Sequence, residues 1–340
     1  MQKKYVKWGL VIVTLVATLL LTVLWSLSKG EMNIALIKIP GILLNGDGTM
    51  EKTILTSIRL PRIYLGLAVG GSLGLAGVIL QGIYRNPLVE PYTLGISGGS
   101  ALGVAFTIVF GLHLTLGAYI LPLSGFLGAL VTVFIVYFMS VRRGKIQVQS
   151  MVLIGVMVSF IASSTMMFLM ATTTAENLHG IVFWVMGSLD EPNGKLILIS
   201  VVISVSCLAV SYLFIQPLNA LRLGEAKAHH LGINTDLSIK ALFIIASLLT
   251  GVSVSIAGII GFVGLIIPQF MRLIVGSDFR IMLVSSFLSG GIFVVFCDTI
   301  ARTIIAPNEL PIGAITGMIG GIAFIAILTH ANYKRKMEQL

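Results

Sequence analysis

Apolar residues in this chain come in runs of about twenty, broken by short polar corners, and almost nowhere in the alternation of a half-buried strand. A run of that length is what an α-helix needs to cross the hydrocarbon of a bilayer. Ten are predicted, over residues 9–27, 60–83, 93–110, 116–141, 150–171, 196–215, 239–257, 261–275, 281–300 and 310–330, with the third and eighth short. The expected fold class is therefore all-α: a single polytopic membrane domain over residues 1–340 with about ten transmembrane helices.

The corners carry the remaining local signals. Residues 28–57 read as an external loop with room for a short helix, since Pro40 and the turn signal Asn45-Gly46-Asp47-Gly48 interrupt them. Residues 172–195 hold a candidate interfacial helix at 178–186, with Trp184 as its anchor. Gly66, Gly70 and Gly74 recur every fourth residue in the second run, and Gly313, Gly317 and Gly321 do so in the last. That spacing puts small residues on one helical face, where another backbone can approach closely; generic helix packing reads the same way. Pro268 lies inside the eighth run and is expected to bend it.

Composition sharpens this picture. Of 340 residues, 56% are hydrophobic and 10% charged, where a soluble domain carries roughly a quarter charged residues. The net charge of +9 fits loops facing anionic lipid better than nucleic acid. With both ends inside, fifteen of the 22 lysines and arginines fall on the inner side, as topology bias requires. Lys3, Lys4 and Lys7 precede a first run too long for a signal peptide, so the N-terminus is expected inside. Cys207 and Cys297 sit within apolar runs and read as small core residues.

Arg59, Arg62 and Arg302 fall on the outer side, against that bias. An arginine fork matches a carboxylate, so a docking partner bearing glutamates is one reason for them. Snorkelling at the interface, with an Asp298–Arg302 pair at i, i+4, is another. On the inner side the longest polar stretch is 217–236, with a partly regular apolar stripe and a short helical piece bracketed by Gly224 and Gly232. Such a helix could press into a groove of a soluble partner, or the stretch could be a solvated loop. His229 and His230 are adjacent and diverge on a helix, which argues against metal binding there. No GxxxxGK[ST] phosphate loop is present. No string of carboxylates runs through the spans, as an ion-coupled secondary transporter would need.

The stretches Arg59-Leu60-Pro61-Arg62, Leu75-Ala76-Gly77 through Gln81, Asn86-Pro87-Leu88 with Pro91 and Leu94-Gly95, and Trp184 with Gly187-Ser188 stand in the first half. Gly224 with Ala226 and Leu231-Gly232, Gly261-Phe262-Val263-Gly264-Leu265 with Pro268 and Arg272, Asp278 with Arg280, Asp298 with Arg302, and Glu309-Leu310-Pro311 with Gly313 follow in the second. As a set, in this order, they resemble the permease subunits of iron–siderophore, haem and vitamin B12 ABC importers, the FecCD-type family. Gln269 and Phe279 depart from it at positions where the family commonly has histidine.

The resemblance implies a type II ABC importer permease fold in the cytoplasmic (plasma or inner) membrane. It implies a homodimer with the pathway on its two-fold axis, two cytoplasmic ATPase subunits and one extracytoplasmic binding protein. Arg59, Arg62 and Arg302 would receive glutamates of the binding protein. Leu218, Leu221, Gly224, Glu225, Ala226, His229, Leu231 and Gly232 would couple to the ATPase. Arg142, Arg143, Gly144 and Lys145 would form the inner gate, moved by rigid-body rocking. Ser159, Ser163, Met166, Met167 and Met170 on the fifth span would line the path, methionine adapting to a bulky chelate; ordinary packing explains each singly. Gly66, Gly70, Gly74, Asn86, Pro87, Pro268, Pro311 and Gly313 would be structural. The chain is expected to be no enzyme and to hold no cofactor or metal, ATP and Mg belonging to the ATPase. The expected cargo is a ferric siderophore, with haem and cobalamin as alternatives.

Overall fold

The structure, a computed structural model, describes residues 2–45, 48–117, 119–142 and 145–337. It opens with α1 (Gln2–Ser28), followed by the short α2 (Ile39–Asn45) and α3 (Met50–Thr53). A single π-helical stretch, Ile54–Arg59, leads directly into α4 (Leu60–Tyr84). Then come α5 (Ile96–Val109), α6 (Leu112–Leu116), α7 (Ile120–Ser140), a two-residue ribbon of β1 (Val141–Arg142) and β2 (Lys145–Ile146), α8 (Val148–Thr172) and α9 (Ala175–Met186). The second half holds α10 (Gly194–Ser211), α11 (Ile215–Leu221), α12 (Glu225–His230), α13 (Thr235–Ala257), α14 (Val263–Val275), α15 (Phe279–Ala301) and α16 (Ile312–Met337).

All ten predicted runs are helical. Seven described helices are long and apolar enough to cross a membrane, and Ile96–Val109, Val263–Val275 and Ile312–Ile327 are the shorter apolar ones. The differences lie at the ends. The sixth helix stops at Ser211 rather than at 215, and the polar stretch after it is largely helical, through α11 and α12. The Asn234 side chain accepts the Leu237 amide and so starts α13 at Thr235, four residues before the apolar run begins.

α4 is the central post. Every residue from Ala68 to Ile83 is buried, as a helix apolar on all sides should be. It packs against α15, α13, α14 and α10. A β-carbon on Gly70 would run into the Gly290 carbonyl of α15, and one on Gly74 into that of Ser286. Backbone thus meets backbone along this seam, and α14 closes similarly where Gly77 faces Gly264. The row in α16 behaves differently. Gly313 abuts the Met186 carbonyl, whereas Gly317 faces no atom within 4 Å and Gly320, out of that register, meets Phe262. The four-residue spacing therefore does not make one seam there.

Two large cores fill most of the bundle, beside two smaller clusters. One, around Leu75, Ile79, Phe243 and Leu283, occupies the half toward the end of α4. The other, around Leu65, Val69, Val294 and Ile315, occupies the half toward its start. α5, α7 and α8 form a second packing group joined to α4 through α13. The apolar faces of α1 and α8 are mostly exposed, the surface a bilayer or another apolar partner would cover. At about 1.5 Å per residue, the 25-residue α4 sets its two ends about 37 Å apart.

Candidate functional site

At the start of α4 three arginines meet, and they face inward. Arg59, Arg62 and Arg302 are 2%, 7% and 6% exposed. Arg59 donates to the backbone carbonyls of Leu27 and Met32. Arg62 Nη1 donates to both Glu309 oxygens at 2.8 and 2.9 Å, and its Nη2 lies 2.9 Å from Asp190 Oδ1. Arg302 Nη2 donates to the Ser26 carbonyl at 2.8 Å and hydroxyl at 2.7 Å. Its Nε lies 3.3 Å from Asp298 Oδ2, an ion pair at i, i+4 but not an aligned hydrogen bond.

All three guanidinium groups are thus held within the fold, by partners the chain itself provides. The arginines sit on packed faces at helix ends, where an uncompensated charge is costly, so the chain supplies carboxylates to Arg62 and Arg302 and backbone carbonyls to Arg59. Asp190 and Glu309 are the exposed members, with 68% and 49% of their side chains open. Asp190 was not singled out from sequence. Its only signal was its place two residues after Gly187-Ser188.

At the opposite end, Tyr84 closes α4 and Arg85 turns the chain in the left-handed region, φ 51°. The Asn86 side chain accepts the Leu88 amide at 2.9 Å, and the Pro87 carbonyl accepts Gln269 Nε2 at 2.7 Å. Gln269 therefore ties α14, which continues through Pro268, to the α4–α5 corner. Phe279, the other departure, lays its ring over Gly82.

Of the residues expected to couple, Leu218 and Leu221 are not at the surface. They are 0% and 2% exposed and belong to the inner core, because α11 turns its apolar side to the bundle. Glu225, Ala226, His229, Leu231 and Gly232 are exposed around α12. Gly224 starts that helix at φ 108° and Gly232 ends its last turn at φ 81°, both positive values that favour glycine. In the expected inner gate, Val141 pairs with Ile146 and Arg142 with Lys145; Arg143 and Gly144 lie outside the described residues.

The expected pathway wall divides. Met166 and Met170 are half-buried and pack against the cluster of Ile108 and Ile181. Ser159 is half-buried toward α5, near Gly95. Ser163 and Met167 are exposed on another face of α8.

Residues 18–330 match the model of the FecCD transport family. The chain is 37% identical over 277 residues to the cobalamin import system permease protein BtuC of Halobacterium salinarum, covering 82% of this chain and 73% of that one. It is 33% identical over 281 residues to the hemin transport system permease protein HmuU of Yersinia pestis, covering 82% and 84%. A solved structure described as an inward-facing conformation of a metal-chelate type ABC transporter superposes with TM-score 0.82 at 30% identity, over 95% of this chain and 99% of that one.

Proposed function

Because this chain belongs to the FecCD transport family, a family of ABC importer permeases, we propose that it works as one half of a homodimer that passes a ferric siderophore into the cell. Both termini are cytoplasmic in this reading, and the α12 end faces the ATPase. The binding protein docks over the start of α4. Its carboxylates compete with Asp190 and Glu309 for Arg62, which loosens the loops that those two residues anchor. ATP hydrolysed on the partner subunits pulls on α12 and rocks α7 and α8 as rigid bodies. Ser163 and Met167 on α8 face the path in the dimer.

The observation that carries the reading is α12 itself. It is a short helix bracketed by glycines, and Glu225, Ala226, His229 and His230 stay exposed on it, which suits a groove of a soluble partner. Haem or cobalamin is the second reading for the cargo, favoured by the relatives named for those compounds.

The test is reconstitution in vesicles with the ATPase and the binding protein. Ferric siderophore uptake is expected to need hydrolysable ATP, and accumulation of haem or cobalamin instead would reassign the cargo. Uptake by this polypeptide alone, driven by a salt or proton gradient, would make it a secondary transporter. Arg62→Gln is expected to weaken binding-protein docking about 30-fold, the equivalent of about 2 kcal/mol, while ATPase co-purification stays unchanged. Undiminished docking would remove Arg62 from that role.

A further inference from the structure

A recess of about 220 Å³ lies at the Tyr84 end of α4, and no residue of α12 lines it. Arg85, Arg222 and Arg272 line it, and no carboxylate does. The three come from separate elements: the α4–α5 corner, the end of α11 and the last turn of α14. Their placement is fixed. Buried Gln81 donates its amide to the Gly264 and Leu265 carbonyls, both at 3.3 Å, which aims its own oxygen at Arg272 Nη2, 3.1 Å away. Arg222 Nη1 donates to the Ser277 carbonyl at 2.6 Å. The left-handed turn at Arg85 brings its guanidinium beside Gly224, where an added β-carbon would lie 3.3 Å from Nη1.

Among the described residues none of these arginines has an ion-pair partner. The adjacent acid, Asp278, is already engaged by Lys4 at 3.1 Å, by Asn219 at 3.4 Å and by the Arg280 amide at 3.1 Å. Three like charges therefore share a pocket that the chain does not neutralise, with most of their donors unused.

We propose that this recess is a phosphate site, taking either the headgroup of an anionic phospholipid or free phosphate. A tetrahedral phosphate offers an oxygen to each of three forks, whereas a carboxylate has only two oxygens. Apolar walls from Phe279 and Met282, and a position at the end of membrane helices, suit a headgroup whose tails lie along the bundle. A bound phosphate would tie Arg85 to the segment leading into α12, and so stiffen the element assigned to ATPase contact. Only that last consequence rests on the importer reading; the pocket stands without it.

The test uses the full-length permease and reads thermal unfolding. In detergent, phosphate is compared with chloride at equal ionic strength. In nanodiscs, phosphatidylcholine is compared with a phosphatidylcholine–phosphatidylglycerol mixture. A rise of several degrees with either probe is expected, lost in the Arg85→Gln/Arg222→Gln double variant and kept in Lys227→Gln. Response to phosphatidylglycerol alone identifies the lipid as the source, and response to free phosphate alone identifies the soluble anion; each supports the site. Both arginines are exposed, so the double variant is expected to fold. Native mass spectrometry supplies a second reading, with fewer phosphatidylglycerol molecules retained by the variant. No shift with either probe, or a shift that the variant keeps, overturns the proposal. If the variant keeps the response and instead loses the ATPase, the recess belongs to an acidic partner chain.

Discussion

Single residues here mostly settle how charge is held at helix ends. Asp278 caps α15 through the Arg280 amide and pairs with Lys4 at 3.1 Å, stapling α1 to the start of α15. Partial burial raises the cost of its charge, but that amide and the Lys4 ammonium outweigh it and hold the carboxyl below its usual range. A depressed carboxylate stabilises the fold above its ordinary pKa, about 3.9, and that contribution fades as pH falls through the lowered value. Asp278→Ala is thus expected to cost about 1 kcal/mol at neutral pH, the difference from wild type closing in acid. Thermal unfolding in detergent across pH measures it, and a gap that ignores pH would mean the charge is not what matters. Glu90 illustrates the opposite case, burial in the α4–α5 corner pushing its carboxyl up.

At the scale of elements, the α4–α15 seam is the sensitive contact. Gly70 and Gly290 bring two backbones together with no space for a methyl group on either. Gly70→Ala should force the helices apart and cost about 3 kcal/mol, the upper range for overpacking, seen as a lowered melting point and a smaller monodisperse fraction. Gly317→Ala, with nothing within 4 Å, should leave both unchanged in the monomer. Equal losses from the two would show that the seam is not special. α12 offers the converse test. Ala226→Glu adds charge to an exposed position and should reduce ATPase co-purification at least tenfold without moving the melting point.

Direction across the membrane belongs to the scale of the whole molecule. Cys207 and Cys297 are buried and free, so introduced thiols can be read against a quiet background. Glu309→Cys is expected to react with an impermeant reagent on intact cells, and Ala226→Cys only after permeabilisation. The reverse pattern would invert the topology and with it the docking and coupling assignments. Assembly is read in the same variants: Met167→Cys, on the exposed side of α8, should form a cross-linked dimer if that side meets its twin.

Patterning alone makes this a bundle of about ten apolar helices. Run length against bilayer thickness leaves few other solutions, and backbone groups in lipid must pair within the helix. It also supplied the family, through ordered short stretches from Arg59 to Gly313. Which way the side chains turn comes from how the helices pack. A nearly all-apolar run has no polar face to mark its inside, so the burial of Leu218 and Leu221, or the half-burial of Met166 and Met170, could not be told from exposure. Nor does charge at a helix end declare its partner. That Arg62 answers to Asp190 and Glu309, more than a hundred residues away, and that Arg85, Arg222 and Arg272 share one recess, follow from helix packing at long sequence separation, which no local pattern encodes.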